Sequence, residues 1–136
     1  MAEDVEKIYG YEVRNPHDSE KEWFESNLNT PAMSTQDGKI IFNPFVEINN
    51  KQRKGLLINE ASRLWMKQND FAPKFSPTIE QLDSFKGTPY ENKPMDISHT
   101  IIGRILSNDK SAGAITTEQQ KAADFVRKYL EKRNTL

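Results

Sequence analysis

Apolar residues between positions 51 and 68 recur three and four residues apart, which is the period of one helix face. Asn49 or Asn50 precedes the segment, and asparagine caps helix N-termini by accepting a backbone N–H. We therefore predict the longest helix here and place it at the centre of the core. Its predicted core face consists of Leu57, Ala61, Leu64, Trp65 and Gln68, widened by Leu56 and Ile58.

Two shorter helices are predicted on either side of this central helix. Ser19 with Glu22 matches a capping box, which begins a helix that runs to about Leu28. Ser76-Pro77 places a capping residue before a proline at the first helical position, and Gly87 ends that helix. The residues predicted to be buried are Trp23, Phe24 and Leu28 in the first helix and Ile79, Leu82 and Phe85 in the second.

Two further helices are predicted in the last third of the chain. Isoleucines recur with helical spacing after a proline-containing connection. Thr116 with Gln119 forms a capping box at the start of the last helix. The polar segment between these helices, residues 107–116, is predicted to be a loop that is mobile or ordered by a partner. The residues predicted to face the core are Ile97, Ile101, Ile102, Ile105, Leu106, Ala122, Phe125, Val126, Tyr129 and Leu130.

A β-hairpin is predicted over residues 33–42. Asp37-Gly38 favours the positive φ of a tight turn, and Ile40, Ile41 and Phe42 after it have high strand propensity. A lone hairpin is only marginally stable in water, so its apolar side is expected to pack on the central helix.

The first fourteen residues alternate apolar and polar side chains around Gly10, and this pattern predicts an extended segment. Tyr9, Tyr11 and Val13 are its candidate docking residues. Two roles are compatible with the pattern. The segment is either an arm that lies on another chain or an edge strand of the same domain.

The length of 136 residues is typical of one domain with a single core. We therefore predict a mainly helical α+β fold, with about five helices and one β-hairpin in a single domain over residues 15–136, and an extended N-terminal arm over residues 1–14. Only 35% of the residues are hydrophobic. This indicates a small core, whose stability would gain from contacts with partners.

Charge and cysteine content argue against several classes of function. The 19 basic and 20 acidic side chains give a net charge of -1, so no overall field attracts nucleic acid or an anionic membrane. The chain has no cysteine, which excludes disulfides and thiolate nucleophiles. No apolar run approaches the ~20 residues of a membrane span, and the first residues are acidic where a secretion signal would be basic. The expected compartment is the cytosol, with no specific nucleic-acid partner and no membrane partner.

Residues that could carry chemistry form no known catalytic, metal-binding or nucleotide-binding motif. His17 and His99 have no second histidine or carboxylate at ligand spacing, and both are interpreted as structural. The segment Asn59–Arg63 lies where zincin metalloproteases carry their zinc helix, but that helix needs a histidine at both ends of the pentad. The glycines stand singly, so no phosphate-binding loop is expected. We predict no cofactor and no metal.

Glu60 and Arg63 are three residues apart on the central helix, which is the spacing of a helix-surface ion pair. Their neighbours Ala61 and Leu64 belong to the core face, so one or both charges are expected to be partly buried. Arg104 in the isoleucine-rich helix is a candidate partner across helices. Two interpretations are open: a structural network that fixes helix register, or a functional carboxylate at Glu60.

Five segments of the chain together match the pattern of one known family. They are Asn15-Pro16-His17, residues 37–45, residues 59–66, Gly87-Thr88-Pro89-Tyr90 and residues 102–107. In this order they resemble a family of small proteins in tailed bacteriophages of the podophage type, including marine phages. The similarity covers about residues 15–125, and Ser111-Ala112-Gly113 completes it. The family has no assigned activity, so the resemblance implies a phage context and no particular chemistry.

The phage context implies a non-enzymatic protein that acts by docking. It would be a minor head, tail or ejection-apparatus component of the virion, or an assembly factor. The expected partners are other virion proteins, with oligomerisation left open, and the expected location is the host cytoplasm during assembly and then the virion. Two alternatives remain open. One is a phage hydrolase that uses carboxylates, either a cell-wall hydrolase or a decayed zincin-like fold, and the other is an inhibitor of a host protein.

Overall fold

A computed structural model describes residues 5–134 of the chain. Over this range it contains five α-helices, two antiparallel strand pairs and one short 3₁₀ helix. The prediction of a mainly helical α+β fold is confirmed. In chain order the elements are β1 (Lys7–Ile8), β2 (Tyr11–Glu12), α1 (Asp18–Glu25), β3 (Ala32–Ser34), β4 (Ile40–Phe42), α2 (Asn50–Gln68), α3 (Ile79–Ser84), α4 (Pro94–Leu106), the 3₁₀ helix (Lys110–Ala112) and α5 (Thr117–Arg133).

Helix α2 is the centre of the fold, as predicted. Its N-cap is Asn49, whose Oδ1 accepts the Gln52 N–H at 2.8 Å while Gln52 Oε1 accepts the Asn49 N–H at 3.0 Å. The helix packs against α4, α5 and both strands of the β3–β4 pair. Gln68 is exposed at the last residue of the helix, although it was predicted on the core face. The core around α2 consists of Tyr11, Ile40, Leu57, Ala61, Leu64, Trp65, Met66, Ile102, Ala123, Val126 and Leu130.

The β3–β4 pair is the predicted hairpin. Ser34 pairs with Ile40, and the loop between them contains Gly38 with a φ of +76°. Glycine adopts this left-handed conformation without strain. Ile40 and Ile41 are fully buried, and both strands contact α2. The hairpin therefore has the helix cover that its apolar side needs.

Residues 5–14 pack on the domain, which corrects the prediction of an extended arm; the first four residues of that arm lie outside the described chain. β1 and β2 pair through the two-residue loop Tyr9-Gly10, whose φ angles of +51° and +80° are those of a type I′ turn. Tyr11 is only 3% exposed and donates its hydroxyl hydrogen to Gln68 Oε1 at 2.9 Å. The described segment is therefore part of the core, in agreement with the edge-strand alternative.

Ion pairs and strand pairing also hold this N-terminal segment to the domain. Glu6 pairs with Arg53 of α2, and Glu12 pairs with Lys39 of the β3–β4 loop at 2.6 Å. Val13 forms a bridge to β4. Both of these acidic side chains thus have partners within the molecule. Whether the segment also binds a partner stays a prediction.

Helix α1 begins earlier than predicted. Its N-cap is His17 rather than Ser19. Glu20, three residues later, forms the capping box with His17, since Glu20 Oε1 accepts the His17 N–H at 2.7 Å. Both carboxylate oxygens of Glu20 also bind Arg14, at 2.7 and 2.9 Å. This bidentate pair, together with the His17 hydrogen bond, lowers the pKa of Glu20 to about 2.

Helix α3 also begins at a different residue, and its cap joins it to α5. Thr78 rather than Ser76 is the N-cap: Thr78 Oγ1 accepts the Gln81 N–H at 3.1 Å. Gln81 and Gln119 are buried and donate to each other's amide oxygens at 2.8 and 2.7 Å. Gln119 is also the N3 residue of the predicted Thr116 capping box, which is confirmed. The two hydrogen bonds between Gln81 and Gln119 therefore join the N-termini of α3 and α5.

Five large apolar residues that were predicted to be buried are exposed. Three of them lie on α1 and α3, which are short, with 8 and 6 residues, and each of which buries a single side chain, Phe24 in α1 and Gln81 in α3. Leu28 lies beyond the end of α1, which was predicted to include it. No neighbouring element covers the remaining apolar face of either helix within the described chain. The five residues are Trp23, Leu28, Ile79, Leu82 and Phe125.

Candidate functional site

Glu60 is a buried carboxyl group on the side of α2 that faces β3. Burial raises the pKa of Glu60 above its ordinary value, while Arg63 and hydrogen bonds from the backbone and side chain of Ser34 act in the opposite direction. A carboxyl group with a raised pKa is a functional candidate when it lies in a cleft. Glu60 does not line the groove between α2 and the end of α4 that is described below. Its position fits a structural group in the core.

Arg63 binds helix α4 rather than Glu60. Its Nη2 donates to Thr100 Oγ1 at 2.7 Å, and its Nη1 lies 3.9 Å from Asp96 Oδ1. The guanidinium carbon is 5.1 Å from the centre of the Tyr90 ring, within range of a cation–π contact. Arg63 is itself buried. These contacts place a buried cation between α2 and α4, where it fixes their relative register.

Arg104 lies apart from these two residues. Its guanidinium carbon is 4.8 Å from the centre of the Phe85 ring, and no ion pair joins it to Glu60 in residues 5–134. The structure therefore brings Glu60 and Arg63 onto one buried stretch of α2 but does not bring Arg104 into a network with them. The cross-helix contact comes from Thr100 and Asp96 instead.

Replacing Glu60 by glutamine is expected to raise the stability of the protein at neutral pH. The unfolded chain releases the Glu60 proton near its ordinary pKa of 4.5, whereas the folded protein holds that proton to higher pH. The free energy of unfolding therefore falls as the pH rises through this window. Glu60→Gln removes the titration and keeps an oxygen that can accept hydrogen bonds from Ser34.

Urea unfolding at several pH values measures this effect. The stability advantage of Glu60→Gln over the parent protein should be small at pH 4.5 and grow above it. A Glu60→Gln protein that is less stable than the parent at pH 7 would show that the ionised carboxylate contributes to stability, against this expectation.

The two histidines lie far apart in the structure. His17 is exposed at the start of α1, and its Nδ1 is 3.5 Å from Glu20 Oε1. His99 is buried in α4. In the part of the chain that the structure describes, no three His, Asp or Glu side chains are grouped so as to hold a metal ion. None of the helices in that part has the length and apolar character needed to span a bilayer.

A groove of about 750 Å³ is bounded by α2, the end of α4, and the loops before β3 and after β4. Its volume falls in the range of binding sites in proteins. Leu28, which lines it, is 57% exposed. This surface is called the apolar groove below. Its apolar lining residues are Leu28, Pro31, Val46, Ile48 and Leu56, and its charged lining residues are Glu47, Lys51, Asp109 and Lys110.

Asn59 provides a polar group in the lining of the apolar groove. Its Oδ1 is buried without a hydrogen-bond partner in the described chain, and it lies against Gly103 of α4. The Cα–H groups of Gly103 are the weak donors available to it there. With the oxygen turned to α4, the amide NH₂ is the donor that Asn59 can offer to a molecule in the groove.

Sequence reasoning did not predict the apolar groove. Leu28 was placed in the core, and Val46 and Ile48 lie in a segment without a helix or strand period. One signal did point to this region. The loop over residues 107–116 was expected to be mobile or ordered by a partner, and Asp109 and Lys110 of that loop line the groove.

No family model matches the chain, and no curated protein or solved structure was found to be similar to it. The resemblance to small proteins of tailed bacteriophages therefore remains an expectation from the sequence.

Proposed function

We propose that the protein is a non-enzymatic component of a tailed bacteriophage that acts by docking to another virion protein. Its role is that of a minor head, tail or ejection-apparatus component, or of an assembly factor. The observation that supports docking is the apolar groove, which leaves Leu28 largely exposed to water. The phage context comes from the sequence resemblance alone.

The composition of the apolar groove matches that of a protein interface. Its lining combines apolar residues with charged ones such as Lys51 and Lys110, and protein interfaces combine both kinds of residue. Covering the apolar side chains contributes about 25 cal/mol per Å². Asn59 adds a hydrogen-bond donor that can fix the orientation of a bound segment. A segment of another protein with apolar side chains and a free backbone carbonyl fits these features.

An inhibitor of a host protein would use the same kind of surface, so the identity of the partner decides between the two docking roles. A virion or assembly role requires the protein to travel with particles or their precursors. A host-directed role requires it to remain with a host protein. The carboxylate hydrolase gains no support from Glu60, because that residue is buried beside Ser34.

Leu28→Glu is expected to reduce incorporation of the protein into phage particles at least about tenfold, because a carboxylate that a bound partner covers must lose its hydration. The free energy of unfolding should change by less than about 0.5 kcal/mol, since Leu28 is already 57% exposed. Quantitative mass spectrometry of purified particles measures incorporation.

Leu82→Glu is the matched control. Leu82 is 44% exposed on α3 and does not line the apolar groove, so the same chemical change should leave incorporation unaltered. Equal incorporation of the Leu28→Glu and Leu82→Glu proteins would contradict docking through the apolar groove.

A further inference from the structure

The lining of the apolar groove includes a glycine, Gly55, which lies inside helix α2. Glycine weakens a helix relative to alanine, because it loses more backbone freedom on folding. Two structural features can require such a glycine. One is a positive φ angle, and the other is a neighbouring atom in the place where a Cβ atom would lie.

Neither feature is present at Gly55. Its φ is not positive, in contrast to that of Gly38. A Cβ atom on Gly55 would have Ser107 Cβ as its nearest neighbour, at 3.9 Å, which is an ordinary van der Waals distance. Gly103 is different, because atoms of Asn59 occupy the space beside it. The space beside Gly55 is therefore free in the folded chain, and alanine would fit there without strain.

Asn59 lies one helical turn after Gly55 and lines the same groove. Its Oδ1 is buried against Gly103, whereas its Nδ2 is accessible and has no hydrogen-bond partner among the described residues. One helical turn rises about 5–6 Å, which about two residues of an extended chain span. A side chain of an extended segment at Gly55 would thus place a backbone carbonyl of that segment near Asn59 Nδ2. The interior of a helix has no free carbonyl to offer.

The charges in the lining of the apolar groove cancel. Two lysines, Lys51 and Lys110, lie opposite in sign to Glu47 and Asp109. A lining without net charge favours neither an acidic nor a basic segment, and its complement is an uncharged one. The remaining contribution to binding is the burial of apolar side chains such as Leu56 next to Gly55.

We propose that Gly55 determines the specificity of the apolar groove by receiving a large apolar side chain from an uncharged, extended segment of the partner protein. The missing Cβ atom leaves the backbone of α2 open to that side chain, while Asn59 Nδ2 donates to a backbone carbonyl about two residues away from it. The lower helix propensity of glycine is then a consequence of the binding site rather than of the fold. This inference rests on the proposed docking function for the choice of site.

The test is the selection of a library of random short linear peptides on the immobilised full chain, followed by measurement of each enriched peptide's Kd. We expect the enriched peptides to be uncharged, to share one large apolar residue and to bind with a Kd on the order of 10–100 μM. Gly55→Met places a side chain where that residue is received and should raise the Kd at least about tenfold. Asn59→Ala should raise it at least about threefold.

Lys54→Met is the matched control. Lys54 precedes Gly55, is exposed and does not line the apolar groove, so the Kd should change by less than about twofold. Gly55→Met should not lower the melting temperature, because methionine is the better helix former. If it does, Gly55→Ala replaces it, since a Cβ atom has room at this position, and a Kd at least about threefold above that of the parent is expected.

Three results would overturn the proposal. They are the absence of enriched peptides, enrichment of strongly charged peptides, and equal binding of the enriched peptides to the parent protein and to the folded Gly55 variant. The selection uses neither particles nor virion proteins, so its outcome is distinct from that of the proposed virion role. If Leu28→Glu abolishes incorporation while the Gly55 variants bind peptides like the parent, docking through the groove stands and the role of Gly55 does not.

Discussion

Replacing Asn43 by aspartate is expected to lower the free energy of unfolding by about 3 kcal/mol or more, because a carboxylate oxygen would then face the three carbonyl oxygens to which the buried Asn43 amide now donates. Asn43 is 2% exposed. Its Nδ2 lies 3.2, 3.3 and 3.0 Å from the carbonyl oxygens of Phe24, Asn27 and Thr30, and its Oδ1 accepts the Phe45 N–H at 2.9 Å. One amide thus ties the end of α1 to the chain after β4.

Aspartate keeps the shape of Asn43 and the acceptor for Phe45, but it replaces the NH₂ group by a second acceptor. A carboxylate oxygen then faces carbonyl groups at the C-terminal end of a helix, where negative charge is unfavourable. Asn27→Asp is the matched control, because Asn27 Nδ2 makes a single exposed hydrogen bond, to the Trp23 carbonyl oxygen. Urea unfolding should show a loss of no more than about 1 kcal/mol for this control. Equal losses in the two variants would mean that Asn43 does not have the role described.

Gly103→Ala is expected to cost about 1–3 kcal/mol, although alanine is the better helix former by about 1 kcal/mol. A Cβ atom at position 103 would overlap Asn59 Oδ1 and lie 2.9 Å from Asn59 Cγ and 3.3 Å from Ser62 Oγ. Atoms of α2 therefore occupy the space that an alanine side chain needs. The loss measures how firmly the Asn59 side chain is held against Gly103.

Two further variants make this prediction specific. Asn59→Ala removes the overlapping atoms, so in the double variant Gly103→Ala should cost much less than it does alone. Gly55→Ala is the control, since a Cβ there would meet only Ser107 Cβ at an ordinary 3.9 Å; it should leave stability unchanged or raise it by up to about 1 kcal/mol. If Gly103→Ala costs nothing, or if Asn59→Ala gives no relief, the Asn59 side chain is not held against Gly103 as described.

Elements whose signals lie within a few neighbouring residues could be predicted from the sequence. The caps at Asn49 and at Thr116 each depend on one hydrogen bond across three residues, and both are present. The hairpin at Gly38 depends on a single positive φ. Local chemistry decides such features, so no knowledge of the rest of the fold is needed.

Features that depend on distant residues could not be predicted in the same way. A helical period identifies the apolar face of α1 or α3, but it does not reveal whether another element covers that face. The alternation around Tyr11 fits both an arm and an edge strand. Its place is set by contacts with distant residues, such as the hydrogen bond to Gln68, 57 residues away. Apart from the two capping boxes, nothing in the sequence indicates that Gln81 and Gln119, which are 38 residues apart, hydrogen-bond to each other.

In the candidate sites, too, the features set by neighbouring residues could be predicted and those set by distant residues could not. The burial of Glu60 and Arg63 followed from their positions beside Ala61 and Leu64 on the core face, and both are buried. Their partners, Ser34 and Thr100, come from other elements and were not foreseen. The apolar groove is formed by segments that meet only in the folded chain.

The docking proposal is tested most directly by quantitative mass spectrometry of purified particles and assembly intermediates of the phage whose genome encodes the chain. A virion component should be present in particles at a fixed ratio to the major capsid protein, after washing at high salt. An assembly factor should be present at a fixed ratio in the intermediates and be lost on maturation. If the protein is abundant in infected cells but absent from both particles and intermediates, the proposed virion or assembly role is contradicted.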